Sequence, residues 1–244
     1  MSSAVSTSSK NFPRDVQPEW LDTLPPDDPR ARRSRADLRR INWIMGALGT
    51  LRGALDFAFR SRKATHIVEL GAGDGSLMSR LARERSAHWP GMHVSLLDLQ
   101  PVVASTTKTA IERRGWPVDV VRADAFAWLE QAPRRPNEII IANLFVHHFD
   151  SAQIQRLLAG VAARAAAFVC CEPRRSRLAL LGSRSVAALG CNDVTRHDAV
   201  ASVHAGFCDQ ELTQHWPHNP DWITHETAAG LFLHRFVALR RDQC

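Results

Sequence analysis

Residues able to do chemistry stand at five places along this 244-residue chain. The first is ELGAGDG, Glu69 to Gly75, where glycines at 71, 73 and 75 let the chain turn sharply and let a ligand approach bare backbone. Its carboxylates, Glu69 and Asp74, repel a pyrophosphate and suit a cationic ligand that carries an amino group. A dinucleotide fingerprint needs glycine at position 76, where Ser76 stands, and a phosphate loop needs a Lys-Ser/Thr pair that is absent. The second place is Asp98 in LLDLQP, 23 residues after Gly75, a carboxylate able to accept two hydrogen bonds from a vicinal diol. The third is Asp124 with Ala125 in VVRADAFAWL. The fourth is His147-His148 in NLFVHHFD, behind an apolar run, and histidine is the side chain suited to proton transfer near neutral pH. Farther on, His197 and His204 lie seven apart, on one face of a helix. His197 is thus a further candidate base.

The elements that position these residues alternate. Apolar β-runs over 65–70, 93–98, 118–122, 138–144 and 168–172 are separated by helical patterns over 76–85, 102–114, 126–131 and 151–166. The last of these helices opens on Asp150 with Gln153 three residues on, a capping-box pattern. Such alternation predicts an α/β fold, a doubly wound and mostly parallel sheet of Rossmann-like type. Two final strands over 221–227 and 231–239 add an antiparallel pair, which makes seven, and a helix is expected over 195–205. Before the first strand, 37–62 has helical apolar spacing interrupted by Gly46, Gly49 and Gly53, and reads as an N-terminal helical lid. Residues 1–36 are rich in Ser, Pro, Asp and Arg, with PPDDP at 25–29, and read as a mobile or loosely packed arm. The core then spans 63–244, with an insertion around 174–206.

In motif order and strand–turn context, residues 64–172 resemble the class I S-adenosylmethionine (SAM)-dependent methyltransferases. In that family an E/D-x-G-x-G-x-G loop ends the first strand and cups the methionine part of SAM. The resemblance assigns this role to Glu69, Gly71, Gly73, Asp74 and Gly75. It gives the ribose hydroxyls to Asp98, beside Leu99, and the adenine amino group to Asp124 with the Ala125 N–H. Asn143, at the end of the fourth strand, joins the cofactor-binding set. In related small-molecule enzymes a helix before the first strand closes over SAM and the acceptor, so Arg40 or Asn42 could meet the SAM carboxylate.

The acceptor class follows in part from what is missing. Methyltransferases of adenine or glutamine carry Asn/Asp-Pro-Pro-Tyr/Phe where this chain has Asn143-Leu144-Phe145-Val146, without the prolines. Catechol-type enzymes hold Mg²⁺ with carboxylates after this strand. Asn143 alone makes no such site, so no metal is expected. NLFVHHFD is instead similar to the A-x-x-L-H-H-L/F-x-D segment of small-molecule and quinone-type methyltransferases. Within it His147 is the better placed to face an acceptor and His148 to fix the loop. The arm, the R-x-N helix and the segment RHDAVASVHAGF look like bacterial enzymes of polyketide or phenolic-lipid metabolism.

The net charge of +6 invites a nucleic-acid reading, but only three of the 31 basic residues are lysines and the arginines are spread along the whole chain. Arginine-rich composition of that kind needs no polymer partner, so nucleic acid is not the expected one. Five cysteines without CxxC spacing make a disulfide framework or zinc cluster unexpected and fit a reducing cytoplasm. The first residues lack the apolar stretch of a secretory signal, and no uncharged apolar run approaches the ~20 residues that span a bilayer. The expectation is a cytoplasmic enzyme that methylates an aromatic or enolic hydroxyl of a small polyketide or phenolic metabolite. A homodimer is compatible with such a chain. Three rivals remain: C-methylation of a quinone-like or phenolic ring, an RNA or protein methyltransferase using the arginine-rich arm, and a non-catalytic SAM-binding partner protein.

Overall fold

Runs such as HIVEL and EIIIAN are apolar on both faces, the pattern of parallel strands covered from both sides. A computed structural model describes residues 12–241, apart from 61–63, 134 and 136, and in it these runs form the parallel part of a seven-stranded sheet. The parallel strands are β1 (His66–Leu70), β2 (His93–Asp98), β3 (Val118–Arg122), β4 (Glu138–Asn143) and β5 (Ala167–Pro173). With β6 (Trp222–Ala229) and β7 (Leu233–Arg240) the order is β3-β2-β1-β4-β5-β7-β6, and β7 lies antiparallel to both neighbours. The predicted fold class is therefore the observed one, antiparallel C-terminal pair included.

Ten α-helices among the described residues frame the sheet. Before β1 come α1 (Trp20–Thr23), α2 (Pro29–Met45) and α3 (Ala47–Phe59). The crossovers are α4 (Ser76–Arg85), α5 (Ser105–Glu112), α6 (Ala125–Gln131) and α7 (Ser151–Arg164). Beyond β5 lie α8 (Arg177–Arg184), α9 (Asp193–Ala205) and α10 (Glu211–His215). Leu51, Leu55, Met78, Leu81 and Ile111 of α3, α4 and α5 pack on one face of the sheet. Leu129, Ile154, Leu157, Leu158 and Leu212 of α6, α7 and α10 pack on the other. The predicted capping box is present at α7, where the Asp150 side chain accepts from Gln153 N–H at 2.8 Å and Gln153 returns a bond to Asp150 N–H at 3.0 Å.

The largest departure from the sequence reading is at the N-terminus. Residues 1–11 of the expected arm lie outside the described residues, but 12–36 are docked. The Arg14 guanidinium donates to the carbonyls of Ala205 (2.7 Å), His147 (2.9 Å) and Phe149 (2.9 Å), and lies over the Phe207 ring. Buried Asp198 of α9 accepts from the Trp20 and Leu21 N–H groups, which fastens the start of α1. Composition misleads here because the contacts are made by backbone groups and long polar side chains, and few apolar residues take part. The helical segment expected over 37–62 also begins earlier than 37. Pro29 occupies the first turn of α2, and Asp28 accepts from Arg30 N–H. Gly46, left-handed at φ 74°, ends α2 and starts α3. The expected insertion consists of α8, a 3₁₀ turn (Ser185–Leu189) and α9.

Candidate active site

The carboxyl ends of β3, β2, β1, β4 and β5 open in that order onto a cavity of about 600 Å³. The order reverses between β1 and β4, the topological switch point where ligands bind in sheets of this type. The floor is therefore made by strand ends and the turns after them. The roof comes from α2 of the N-terminal segment and from α8 and α9 of the insertion, with Phe232 of the β6–β7 turn.

Most of the cofactor-binding residues expected from the sequence line this cavity: Asn42, Glu69, Gly71, Gly73, Asp74, Asp98, Leu99, Asp124, Ala125 and Asn143. Asp98 holds the glycine loop, accepting from Gly73 N–H and Gln100 N–H, each at 2.8 Å. Asp124 caps α6 through Ala127 N–H at 2.9 Å, so it has a structural job as well as a place in the cavity wall. Arg39 pairs with Asp74 at 2.7 Å. Glu69 is buried, and its Oε2 has no hydrogen-bond partner; the same holds for Asn42 Oδ1 and Asn143 Oδ1. Burial, reinforced by the charges of Asp74 and Asp98, pushes the Glu69 carboxyl up to about 8. Three unpaired oxygens around a glycine-rich turn call for hydrogen-bond donors, and a bound ammonium group would satisfy them. The residues present thus fit the amino-acid end of SAM, and Asp98 fits a ribose diol.

On the other side of the switch point, β4 ends in a tight turn. Leu144 sits in the left-handed region at φ 54°, which an ordinary side chain adopts rarely. The turn is held from β5: Leu144 N–H donates to the Cys171 carbonyl, and buried Glu172 accepts from the Phe145, Val146 and His147 N–H groups. Glu172 Oε2 also takes Nδ1 of His147 at 2.7 Å. Although burial opposes ionisation, the His147 bond and charge and these N–H groups bring the Glu172 carboxyl below the usual carboxylate range. His147 Nε2 faces Glu19 Oε1 at 3.2 Å, and Ser202 Oγ of α9 donates to the same oxygen. His148 donates Nδ1–H to the Phe145 carbonyl at 2.9 Å, with Nε2 3.3 Å from Glu19 Oε2 and 3.6 Å from Asp22 Oδ2. Burial works against a charge on His148, but the Glu19 bond and charge and Asp22 outweigh it and raise its pKa to about 9. The same two histidines hold Glu19 well below the carboxylate range despite its burial.

Three expected site residues lie elsewhere. Arg40 pairs with Asp37 at 3.2 Å and does not line the cavity, because Arg39, one residue earlier on α2, takes the inward position. Gly75 caps α4 at φ 71°, and a Cβ there would approach Leu96 to 3.0 Å, so its glycine serves packing. His197 stacks on Trp20 at 4.0 Å between centroids and bonds Asp198, while Ala199, Ser202 and Val203 form the cavity face of α9. Conversely, the sequence reading missed Glu19 and Glu172. Glu172 had a signal, a lone carboxylate ending the apolar run AFVCCEP; Glu19, within a polar arm, had none.

Residues 67–166 match the family model described as a methyltransferase domain. No curated protein matches the sequence. Among solved structures the chain is similar to the plantazolicin methyltransferase BamL in complex with a triazolic desmethylPZN analog and SAH (S-adenosylhomocysteine). The TM-score is 0.65 at 10% identity, over 91% of this chain and 93% of that one. It is also similar to the mitomycin 7-O-methyltransferase MmcR, with a TM-score of 0.57 at 18% identity, over 91% of this chain and 60% of that one. A third is N,N-8-amino-8-demethyl-D-riboflavin dimethyltransferase (RosA) from Streptomyces davawensis, with a TM-score of 0.54 at 15% identity, over 92% and 62%. Among the described residues no helix is long and apolar enough to cross a membrane.

Proposed function

We propose that this SAM-dependent methyltransferase acts on a hydroxyl of a small aromatic or enolic acceptor, a polyketide or phenolic metabolite, with His147 taking the acceptor's proton. The observation that carries the reading is the buried Glu172–His147 pair at the acceptor side of the cavity. When bound, SAM supplies an electrophilic methyl group and its own leaving group. The protein's part is alignment, exclusion of water and control of one proton.

Glu69 and Asn143 offer unpaired oxygens to the ligand's ammonium group, and Asp98 takes the ribose hydroxyls. A phenol has a pKa near ~10, so its oxygen is a weak nucleophile at neutral pH until a base helps. Glu172 accepts the Nδ1–H of His147 while Glu19 stands 3.2 Å from Nε2, so an acceptor hydroxyl has to take Glu19's place at Nε2 for that nitrogen to act as the base. Ala179 and Val186 of the insertion, Val203 of α9 and Phe232 give the apolar walls that a planar ring requires. In this reading the segment 174–206 and helix α2 select the acceptor, while the core holds the cofactor.

The test is SAH release with phenolic, enolic and amine acceptors. His147→Gln should lower kcat at least 100-fold on hydroxyl acceptors while leaving SAH affinity within about twofold. Turnover confined to amines, or full activity in that variant, would overturn the reading. Loss of salt-sensitive binding of RNA or protein on removal of residues 1–36 would favour a polymer acceptor.

A further inference from the structure

The turn after β4 and the docked arm bring together more than a base. Both histidines give Nδ1–H to a partner that only accepts: His147 to Glu172 Oε2 at 2.7 Å, and His148 to the Phe145 carbonyl at 2.9 Å. Each ring is thereby fixed, and both Nε2 atoms face the Glu19 carboxylate, at 3.2 and 3.3 Å from its two oxygens. The three donor groups offer ligand atoms within 4.8 Å of one another, and Asp22 Oδ2 stands 3.6 Å from His148 Nε2.

Zinc-like ions bind nitrogen and oxygen at about 2.0–2.1 Å in a tetrahedron, which sets neighbouring donors roughly 3.3 Å apart. Histidines that ligate metals hand their second N–H to a carboxylate or a backbone carbonyl, and each alternative occurs here once. The charges agree. Glu172 is buried and Glu19 partly so, with Asp22 beside them, and the cations that face them are His148 and the more distant Arg14, whose donors go to the backbone carbonyls of Ala205, His147 and Phe149. A dication held by Glu19 and the two Nε2 atoms would replace the protons that the histidines share with that carboxylate and keep its charge balanced.

We propose that Glu19, His147 and His148 bind one divalent transition-metal ion of the zinc class, with the fourth position open to the cavity. The donor set, two imidazoles and a carboxylate, favours zinc, cobalt or nickel over magnesium. It differs from the all-carboxylate Mg²⁺ site that the sequence lacks, and it exists only because the arm delivers Glu19. Metal and proton compete for His147 Nε2, so metal-loaded and metal-free enzyme should turn over at different rates. That consequence rests on the base role proposed above; the binding does not.

The experiment is calorimetric titration of chelator-treated full-length protein with zinc chloride, repeated with cobalt(II) chloride and read by visible absorption. One ion per chain is expected, with the intense bands of a four-coordinate cobalt site. Affinity should fall at least 100-fold in Glu19→Gln and in His148→Gln and stay unchanged in His197→Gln, which lies outside the cavity. Unchanged SAH affinity in each variant shows that it is folded. No stoichiometric binding, or binding that survives both cluster substitutions, overturns the proposal. SAH release by the metal-free wild type separately tests the methylation reading, so the two can fail independently.

Discussion

Glu172 Oε2 lies 2.7 Å from Nδ1 of His147, with both side chains buried and the same carboxylate accepting the N–H groups of Phe145, Val146 and His147. One side chain therefore shapes the turn after β4 and decides which nitrogen of the ring is basic. In Glu172→Gln the amide oxygen can still accept from Phe145 and Val146, but its NH₂ meets His147 and drives the proton to Nε2. We expect kcat about 10- to 100-fold lower with SAH affinity unchanged, measured by SAH release and calorimetry.

Glu69 sets a pH dependence. Its pKa is about 8 in the folded chain, against an ordinary 4.5, so the folded state holds the extra proton between those values. Stability therefore falls as pH rises through that window. A ligand ammonium group favours the carboxylate, so SAH affinity through this residue rises with pH up to about 8, by at most tenfold per unit. Calorimetry between pH 6 and 9 on wild type and Glu69→Gln isolates the effect; parallel profiles would refute it.

Asp98 joins two tasks, holding the Gly73 and Gln100 N–H groups and facing the cavity. Asp98→Ala should weaken SAH binding about 10- to 100-fold, the size expected for hydrogen bonds to a charged group. A lower melting temperature should accompany it, because the glycine loop loses its support.

Asp198 fastens the arm by capping α1 through the Trp20 and Leu21 N–H groups. Asp198→Ala should cost about 1 kcal/mol locally and free the segment that carries Glu19. Faster protease cleavage near α1 and a higher acceptor KM, with SAH affinity retained, are the expected readouts.

Two glycines should respond oppositely to alanine. At Gly71, φ is 67° and a Cβ would fall 2.2 Å from the Phe145 ring, so Gly71→Ala should lower stability by more than about 2 kcal/mol. At Gly49, inside α3, a Cβ meets nothing within 4 Å, and Gly49→Ala should add roughly 0.5–1 kcal/mol. Thermal melts of both variants check the pair.

The central sheet was readable because β1, β2, β4 and β5 are buried apolar runs, and β2 and β3 match the expected bounds. Most residues expected to hold the cofactor do line the cavity, because they follow strand ends, though Arg40 and Gly75 do not. The helical elements over the cavity were less readable. Arg39 rather than Arg40 faces inward because helix phase, which residue type does not reveal, decides the matter. His197 shares a face with His204 in the sequence, yet stacking on Trp20 settles its direction. Glu19 reaches His147 across 128 positions through a segment whose docking depends on backbone bonds to α9. No local pattern encodes a contact of that range.

The roof elements α2, α8 and α9 all lie outside residues 67–166, the segment that matches the methyltransferase-domain model. Inheritance can therefore act on the two halves separately. On the function proposed above, a chimera exchanging 12–60 and 174–206 between relatives should carry acceptor preference with it.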